Sequence, residues 1–257
     1  MAMNHQDAPL LRIEHLSKAF DGIQAVNDVS FSVGAGELVA LIGPNGAGKT
    51  TCFNVINGQL KPDAGSVWLA GERIDGLPPQ RVATAGVGRT FQTAATFASM
   101  TARENVQLAL LAGSGEYVAL AHRLATARRS EADALLARVG ASSLAEQVCA
   151  SLSYAEVKRV ELAMAFAQRK STPCLLLMDE PTAGTAPRDR GPIMELVTAL
   201  ARDSAVATLF TEHDVDVVFR FAARVIVLDR GRIIADGTPA SVRADPRVQA
   251  VYLGTEG

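Results

Sequence analysis

The run Gly43-Pro44-Asn45-Gly46-Ala47-Gly48-Lys49-Thr50 sets three glycines, a lysine and a threonine in the spacing G-x-x-x-x-G-K-[ST], with Thr51 following. Without side chains on its inner wall, such a loop can turn consecutive backbone N–H groups toward one point, where they hold an anion. A helix starting at the last glycine adds the partial positive charge of its N-terminus. In this pattern the Lys49 ammonium reaches the outer phosphates of a nucleotide, and the Thr50 hydroxyl offers a hard oxygen ligand to Mg²⁺. The chemistry implied is the cradling of a polyphosphate.

A second constellation is acidic. The apolar run CLLLMDE ends in Asp179 and Glu180, two carboxylates at the end of a buried strand. Behind a phosphate loop, Asp179 suits the Mg²⁺ shell, and Glu180 can orient and polarise the water that attacks the terminal phosphate. Two solvated charges at a strand end are the bland alternative, and the upstream loop weighs against it.

The elements that must position these groups are readable from periodicity. Residues 11 to 42 alternate apolar and polar and end in the apolar ELVALI, which predicts two half-buried strands and one buried strand. Residues 49 to 58 take helical spacing, and GSVWLAG returns to strand character between glycines. From Thr93 to Lys170 alanine, leucine, arginine and glutamate dominate and β-branched residues thin out, so this stretch reads as a helical insert. Strand character resumes with Cys174 to Met178, then ATLFT, then RVIVLDRGRIIADG with a turn near Asp229 to Gly231. The expected architecture is one α/β domain over 1–257, with a core from 1–92 and 171–257 interrupted by a helical subdomain at 93–170.

Bulk properties narrow the partners. The chain has 257 residues and a formal charge of −2, enough to bury a core but without the basic field that nucleic acid requires. Three cysteines without paired spacing argue against a disulfide framework or a cysteine-based metal site, and a reducing cytoplasm fits. The start MAMNHQDAP lacks the marks of a secretory signal, and no apolar stretch approaches the ~20 residues that cross a bilayer. A membrane role is expected only through a partner.

The order of the phosphate loop, Thr90-Phe91-Gln92, Leu152-Ser153, Asp179-Glu180 and His213 resembles the nucleotide-binding domain of ABC transporters, along nearly the whole chain. The resemblance implies a P-loop NTPase (RecA-like) core with an antiparallel β subdomain and an inserted α-helical subdomain, working on ATP and Mg²⁺. It implies that Gln92 touches Mg²⁺ and the attacking water where the helical subdomain meets a transmembrane permease, that His213 contacts the γ-phosphate, and that Phe20 stacks on adenine. Taken alone, Phe20 is as readily a core residue. It further implies a homodimer or heterodimer with a second ATPase subunit, in which Ser153 contacts the partner's ATP. GRTFQ, MTARENV, LSYAE, EPTAGTAP and DGTPASVRADPRVQAVYLG resemble the ATPase subunits of branched-chain amino acid importers, which sit on the cytoplasmic face of the inner membrane and serve a periplasmic binding protein indirectly. Urea importers and lipopolysaccharide exporters are the neighbouring branches.

Four positions depart from the family's usual pattern, one of which, Tyr154 in place of a glycine, resembles the amino-acid-importer branch. The family's signature is typically LSGGQ, and here Ala155 replaces a glycine and Glu156 a glutamine. If Ala155 had to adopt a positive φ, the strain would be on the order of 1 kcal/mol, while Glu156 brings negative charge near a polyphosphate. Ala186 stands where Asp or Asn is usual. These departures suggest two unequal ATP sites and pairing with a different ATPase subunit. They also keep open a nucleotide-dependent interaction module with low hydrolysis. A soluble ABC ATPase acting on DNA or ribosomes lacks support, as neither a fused second cassette nor a long coiled coil is present. A small-molecule P-loop kinase leaves Leu152-Ser153 and His213 unexplained. His5, His15, His122 and Cys52 receive no functional role.

Overall fold

The computed structural model describes residues 9–90, 96–114, 128–167, 175–203 and 205–253. The first two strands, β1 (Leu11–Phe20) and β2 (Ile23–Val33), pair antiparallel. Asp21 and Gly22 turn the hairpin with φ of 48° and 83°, the pair of positive φ values that matches the twist of the flanking strands. After β3 (Leu38–Ile42) and α1 (Lys49–Ile56), strands β4 (Ala64–Leu69) and β5 (Glu72–Arg73) complete a four-stranded sheet in the order β2-β1-β4-β5.

The chain continues through α2 (Pro79–Thr84) and β6 (Val87–Thr90) into three helices, α3 (Ala102–Ser114), α4 (Arg129–Arg138) and α5 (Tyr154–Ala167). Between β6 and β7 (Leu175–Asp179) the described regular elements are all helical, apart from one isolated bridge from Thr101 to Val148. Then follow α6 (Pro187–Asp203), β8 (Ala207–Thr211), α7 (Val215–Phe221), β9 (Arg224–Asp229), β10 (Arg232–Gly237), α8 (Pro239–Ala244) and α9 (Pro246–Leu253). The second sheet has the order β10-β9-β3-β8-β7-β6, parallel throughout except for β10.

The core follows from the pleat of β3, whose five residues are all buried. Successive side chains of a strand point to opposite faces. Leu38, Ala40 and Ile42 join the cluster of Val106, Leu136, Val160 and Met194 from α3 to α6. Val39 and Leu41 join Phe53 and Ile56 of α1 and Leu11 and Val67 of the antiparallel sheet. Each fully buried large apolar side chain contributes about 1.5–3 kcal/mol, so this one strand fastens both layers together. A parallel sheet covered on both faces presents the carboxyl ends of its strands at one edge, and ligands bind there. No helix among the described residues is long and apolar enough to cross a membrane.

Candidate nucleotide site

The loop from Gly43 to Gly48 leaves the carboxyl end of β3 and runs straight into α1. Gly43, Gly46 and Gly48 have φ of 154°, 80° and 105°, a region that side chains strongly disfavour. Two of them are also packed against backbone. A Cβ on Gly43 would lie 2.2 Å from the Leu228 carbonyl oxygen, and one on Gly48 2.4 Å from that of Ala25. Gly48 caps α1 without a side-chain hydrogen bond, so the helix's first N–H groups are left for an anion. Pro44 and Ala47 brace the loop internally, the Ala47 N–H donating to the Pro44 carbonyl at 3.1 Å. The β9–β10 turn braces it from outside, the Gly231 N–H donating to the Ala47 carbonyl at 3.0 Å. A cleft of about 430 Å³ separates Pro44, Asn45, Gly46 and Ala47 from Ala250 and Val251 of α9.

Lys49 folds back over the loop, with Nζ donating to the Gly43 carbonyl at 2.6 Å and to that of Pro44 at 3.1 Å. Burial pulls its ammonium below the usual lysine range, opposed by the nearby charges of Glu180 and Asp179. Thr50 is exposed and Thr51 half-buried. Gly43→Ala is expected to abolish measurable ATP binding and lower the melting temperature by several degrees, because the displaced neighbour is backbone and a core overpacking costs about 1–3 kcal/mol. Calorimetric titration with ATP and a thermal melt check both halves of that expectation.

The two acids end β7, which lies beside β8. The register pairs Asp179 with Thr211. Thr211, buried at the end of β8, donates its hydroxyl to Asp179 Oδ1 at 2.8 Å, and the same hydroxyl accepts the Glu180 N–H at 3.2 Å. One threonine thereby orients both acids. Glu180 is held at φ 50°, a left-handed conformation that costs roughly 1–2 kcal/mol for a residue with a side chain. Strain of this kind concentrates at functional sites. Its Oε1 lies 2.8 Å from His213 Nε2, so the histidine that follows β8 faces the carboxylate that follows β7. Glu212 supports that arrangement from beneath, accepting from the Thr182 N–H and hydroxyl at 2.7 and 2.6 Å.

The donor set suits the group the loop implies. Thr50 hydroxyl and Asp179 carboxylate are hard oxygen ligands of the kind Mg²⁺ prefers, and Mg²⁺ there would neutralise developing charge on the phosphates. Gln92, the remaining candidate, lies outside the described residues. Phe20, 42% exposed at the end of β1 with Ile23 opposite it, is not a core residue. Lys18 Nζ lies over its ring, 5.6 Å from the centroid. Of the residues set aside, His15 is exposed and bonded to Asp28, while Cys52 is buried and its thiol is pushed up to about 12 by desolvation. His5 and His122 lie outside the described residues.

The signature segment corrects one expectation and sharpens another. Ala155 lies inside α5 and its φ is not positive, so the anticipated strain is absent. In a helix, alanine is in fact better than glycine by about 1 kcal/mol. Ser153 and Glu156 form a reciprocal cap. The Glu156 carboxylate accepts the Ser153 N–H at 2.8 Å and its hydroxyl at 2.7 Å, and the Glu156 N–H donates back to Ser153 Oγ at 3.4 Å. These bonds hold the Glu156 carboxyl below its usual range. The S-x-x-E spacing was available in the sequence as a capping box; reading Glu156 only as a charge missed it. Arg89 and Thr211 were missed too, because nothing in their local sequence points at the acids. Tyr154 lies against Gly184, where a Cβ would come within 3.0 Å of its ring.

Loop, paired acids and histidine converge at the carboxyl edge of one parallel sheet, the arrangement of a P-loop ATPase. The chain matches the ABC transporter family over residues 26–183 and belongs to it: this is an ABC-type ATPase. Residues 232–257, which include α9, match the family described as branched-chain amino acid ATP-binding cassette transporter. The chain is 36% identical over 253 residues to the high-affinity branched-chain amino acid transport ATP-binding protein BraF of Pseudomonas aeruginosa, covering 96% of this chain and 98% of that one. It is 35% identical over 247 residues to the lipopolysaccharide export system ATP-binding protein LptB of Haemophilus influenzae, again covering 96% and 98%. Among solved structures, the ADP conformation of MJ1267, an ATP-binding cassette of an ABC transporter, superposes with a TM-score of 0.83 at 31% identity, covering 96% and 99%. A dimeric post-hydrolysis state of the cassette MJ0796, bound to ADP and Pi, gives 0.72 at 26% identity, covering 89% and 98%.

Proposed function

We propose that this chain powers the uptake of branched-chain or related amino acids, hydrolysing Mg²⁺-ATP at the cytoplasmic face of a membrane for a pair of transmembrane permease subunits. The observation that carries the solute class is the similarity to BraF along almost the full length of both chains, joined by the C-terminal match at 232–257. In this reading Gly43 to Thr51 hold the phosphates, Phe20 stacks on adenine, Thr50, Asp179 and Gln92 serve the metal, and Glu180 with His213 serves the attacking water and the γ-phosphate. A second ATPase subunit closes the site. ATP bridging the two subunits favours the closed state, and loss of the γ-phosphate contacts lets them part. The reading is tested by reconstituting the chain with its permease subunits in vesicles and following ATP-driven uptake of leucine and of urea. Leucine uptake above urea supports it; uptake of urea alone assigns the chain to that neighbouring branch.

One observation favours a second reading, in which this chain's own signature contributes little to hydrolysis. Both Ser153 donors are occupied by Glu156, so the hydroxyl meets a partner's phosphate only after a carboxylate is displaced. Glu156→Gln is expected to raise ATP turnover of the isolated chain several-fold, while Ala155→Gly brings no gain and lowers the melting temperature. Phosphate-release assays on the two variants decide it. Full turnover of the unaltered homodimer, unchanged by Glu156→Gln, would sink the unequal-sites reading.

A further inference from the structure

A cation the mechanism leaves unused sits behind the acids. Arg89, in β6, has a side chain only 9% exposed and holds β7, α1 and the segment just after α1 at once. Its Nη2 lies 3.3 Å from Asp179 Oδ2, while Nη1 donates to Asn54 Oδ1 of α1 at 2.7 Å and to Gln59 Oε1 just beyond α1 at 3.2 Å. The guanidinium carbon lies 5.8 Å from the centroid of Phe53, also on α1. Thr211 takes the other oxygen of Asp179, so the carboxylate is gripped from both sides. The grip on Oδ2 ties it to the helix that begins at Lys49. A planar fork with several donors can do this and a lysine cannot.

We propose that Arg89 is a positioning residue for ATP hydrolysis, clamping the Asp179 carboxylate to α1 so that the metal-binding acid and the phosphate loop keep one fixed spacing. The proposal rests on the reading of Asp179 as a Mg²⁺ ligand. Outer-shell partners of metal-binding carboxylates characteristically act this way, and their loss costs about 10–100-fold in metal affinity or activity. A purely electrostatic role makes the opposite prediction. Arg89 is a like charge toward Mg²⁺, and if repulsion were all it supplied, removing it would tighten metal binding.

The test is the Mg²⁺ dependence of nucleotide binding by the whole chain, measured with a fluorescent ATP analogue in EDTA and across a Mg²⁺ titration, with ATP turnover alongside. For Arg89→Met the half-saturating Mg²⁺ concentration is expected to rise about 10-fold or more, with binding in EDTA within about twofold of wild type. Asn54→Leu cuts the clamp on the α1 side without touching Asp179, and a smaller rise in the same direction is expected; it carries the test if Arg89→Met does not fold. An unchanged or lowered Mg²⁺ requirement in the variant that folds overturns the clamp, as does an equal loss of binding in EDTA. Asp179→Asn separates the two layers. If it shifts the Mg²⁺ requirement and the Arg89 and Asn54 variants do not, the clamp alone fails; if it does not, the metal reading and the clamp fall together.

Discussion

Glu180→Gln is expected to reduce steady-state ATP turnover by about 10²–10⁴-fold while ATP binding stays within a few-fold of wild type, the range a general base contributes. The substitution keeps side-chain shape and one acceptor oxygen, so the 2.8 Å contact with His213 Nε2 can persist in altered form. What glutamine cannot do is accept a proton from water. The backbone already commits Glu180 to one place. Its φ of 50° and its N–H bonds to the Thr211 carbonyl at 3.1 Å and hydroxyl at 3.2 Å leave the side chain little choice of direction. Parallel measurements of phosphate release and analogue binding check this. Wild-type turnover in Glu180→Gln removes the role assigned to it; an equal fall in binding and turnover moves Glu180 from chemistry to the cradle.

Lys49→Ala is expected to act on the other quantity, weakening ATP binding by roughly 100-fold or more. Two charge-assisted hydrogen bonds to phosphate, each worth about 1.5–3 kcal/mol, supply that loss. The ammonium also donates to the Gly43 and Pro44 carbonyls. The lysine therefore serves the loop twice, as an internal strut and as a charge for phosphate. Burial lowers the pKa of Lys49, with the charges of Glu180 and Asp179 nearby to offset it. Calorimetry with ATP, alongside a melt of the nucleotide-free chain, separates the roles. Unchanged affinity with a lowered melting temperature leaves only the strut.

The phosphate loop was legible before any coordinates because each of its constraints is local. Positive φ at Gly46, a close backbone approach at Gly43 and Gly48, a lysine and a hydroxyl at the start of a helix are all met within nine residues. The longer strands and the helix after the loop were legible for the same reason, since periods of two and 3.6 are local patterns, whereas the short strands β5 and β6 were not. The β9–β10 hairpin announced itself through the turn near Asp229 to Gly231, whereas the equally local Asp21-Gly22 turn was passed over. The capping box of Ser153 and Glu156 was equally local, and reading Glu156 solely as a misplaced charge passed over it.

What the sequence determined by itself, then, was the set of chemical parts and the element carrying each. Their meeting was decided by the tertiary structure. Strand order puts β8 between β3 and β7, and no periodicity encodes which strand lies beside which. Register then sets Thr211 against Asp179 and makes it the shared orienter of both acids. A one-residue slip would turn it to the opposite face. Arg89 reaches α1 and Asp179 only because β6 pairs with β7, and its partners lie 35 and 90 residues away along the chain. Groups so distant in sequence share a site when the burial of apolar faces selects one packing of the sheet, and that selection is a property of the whole core.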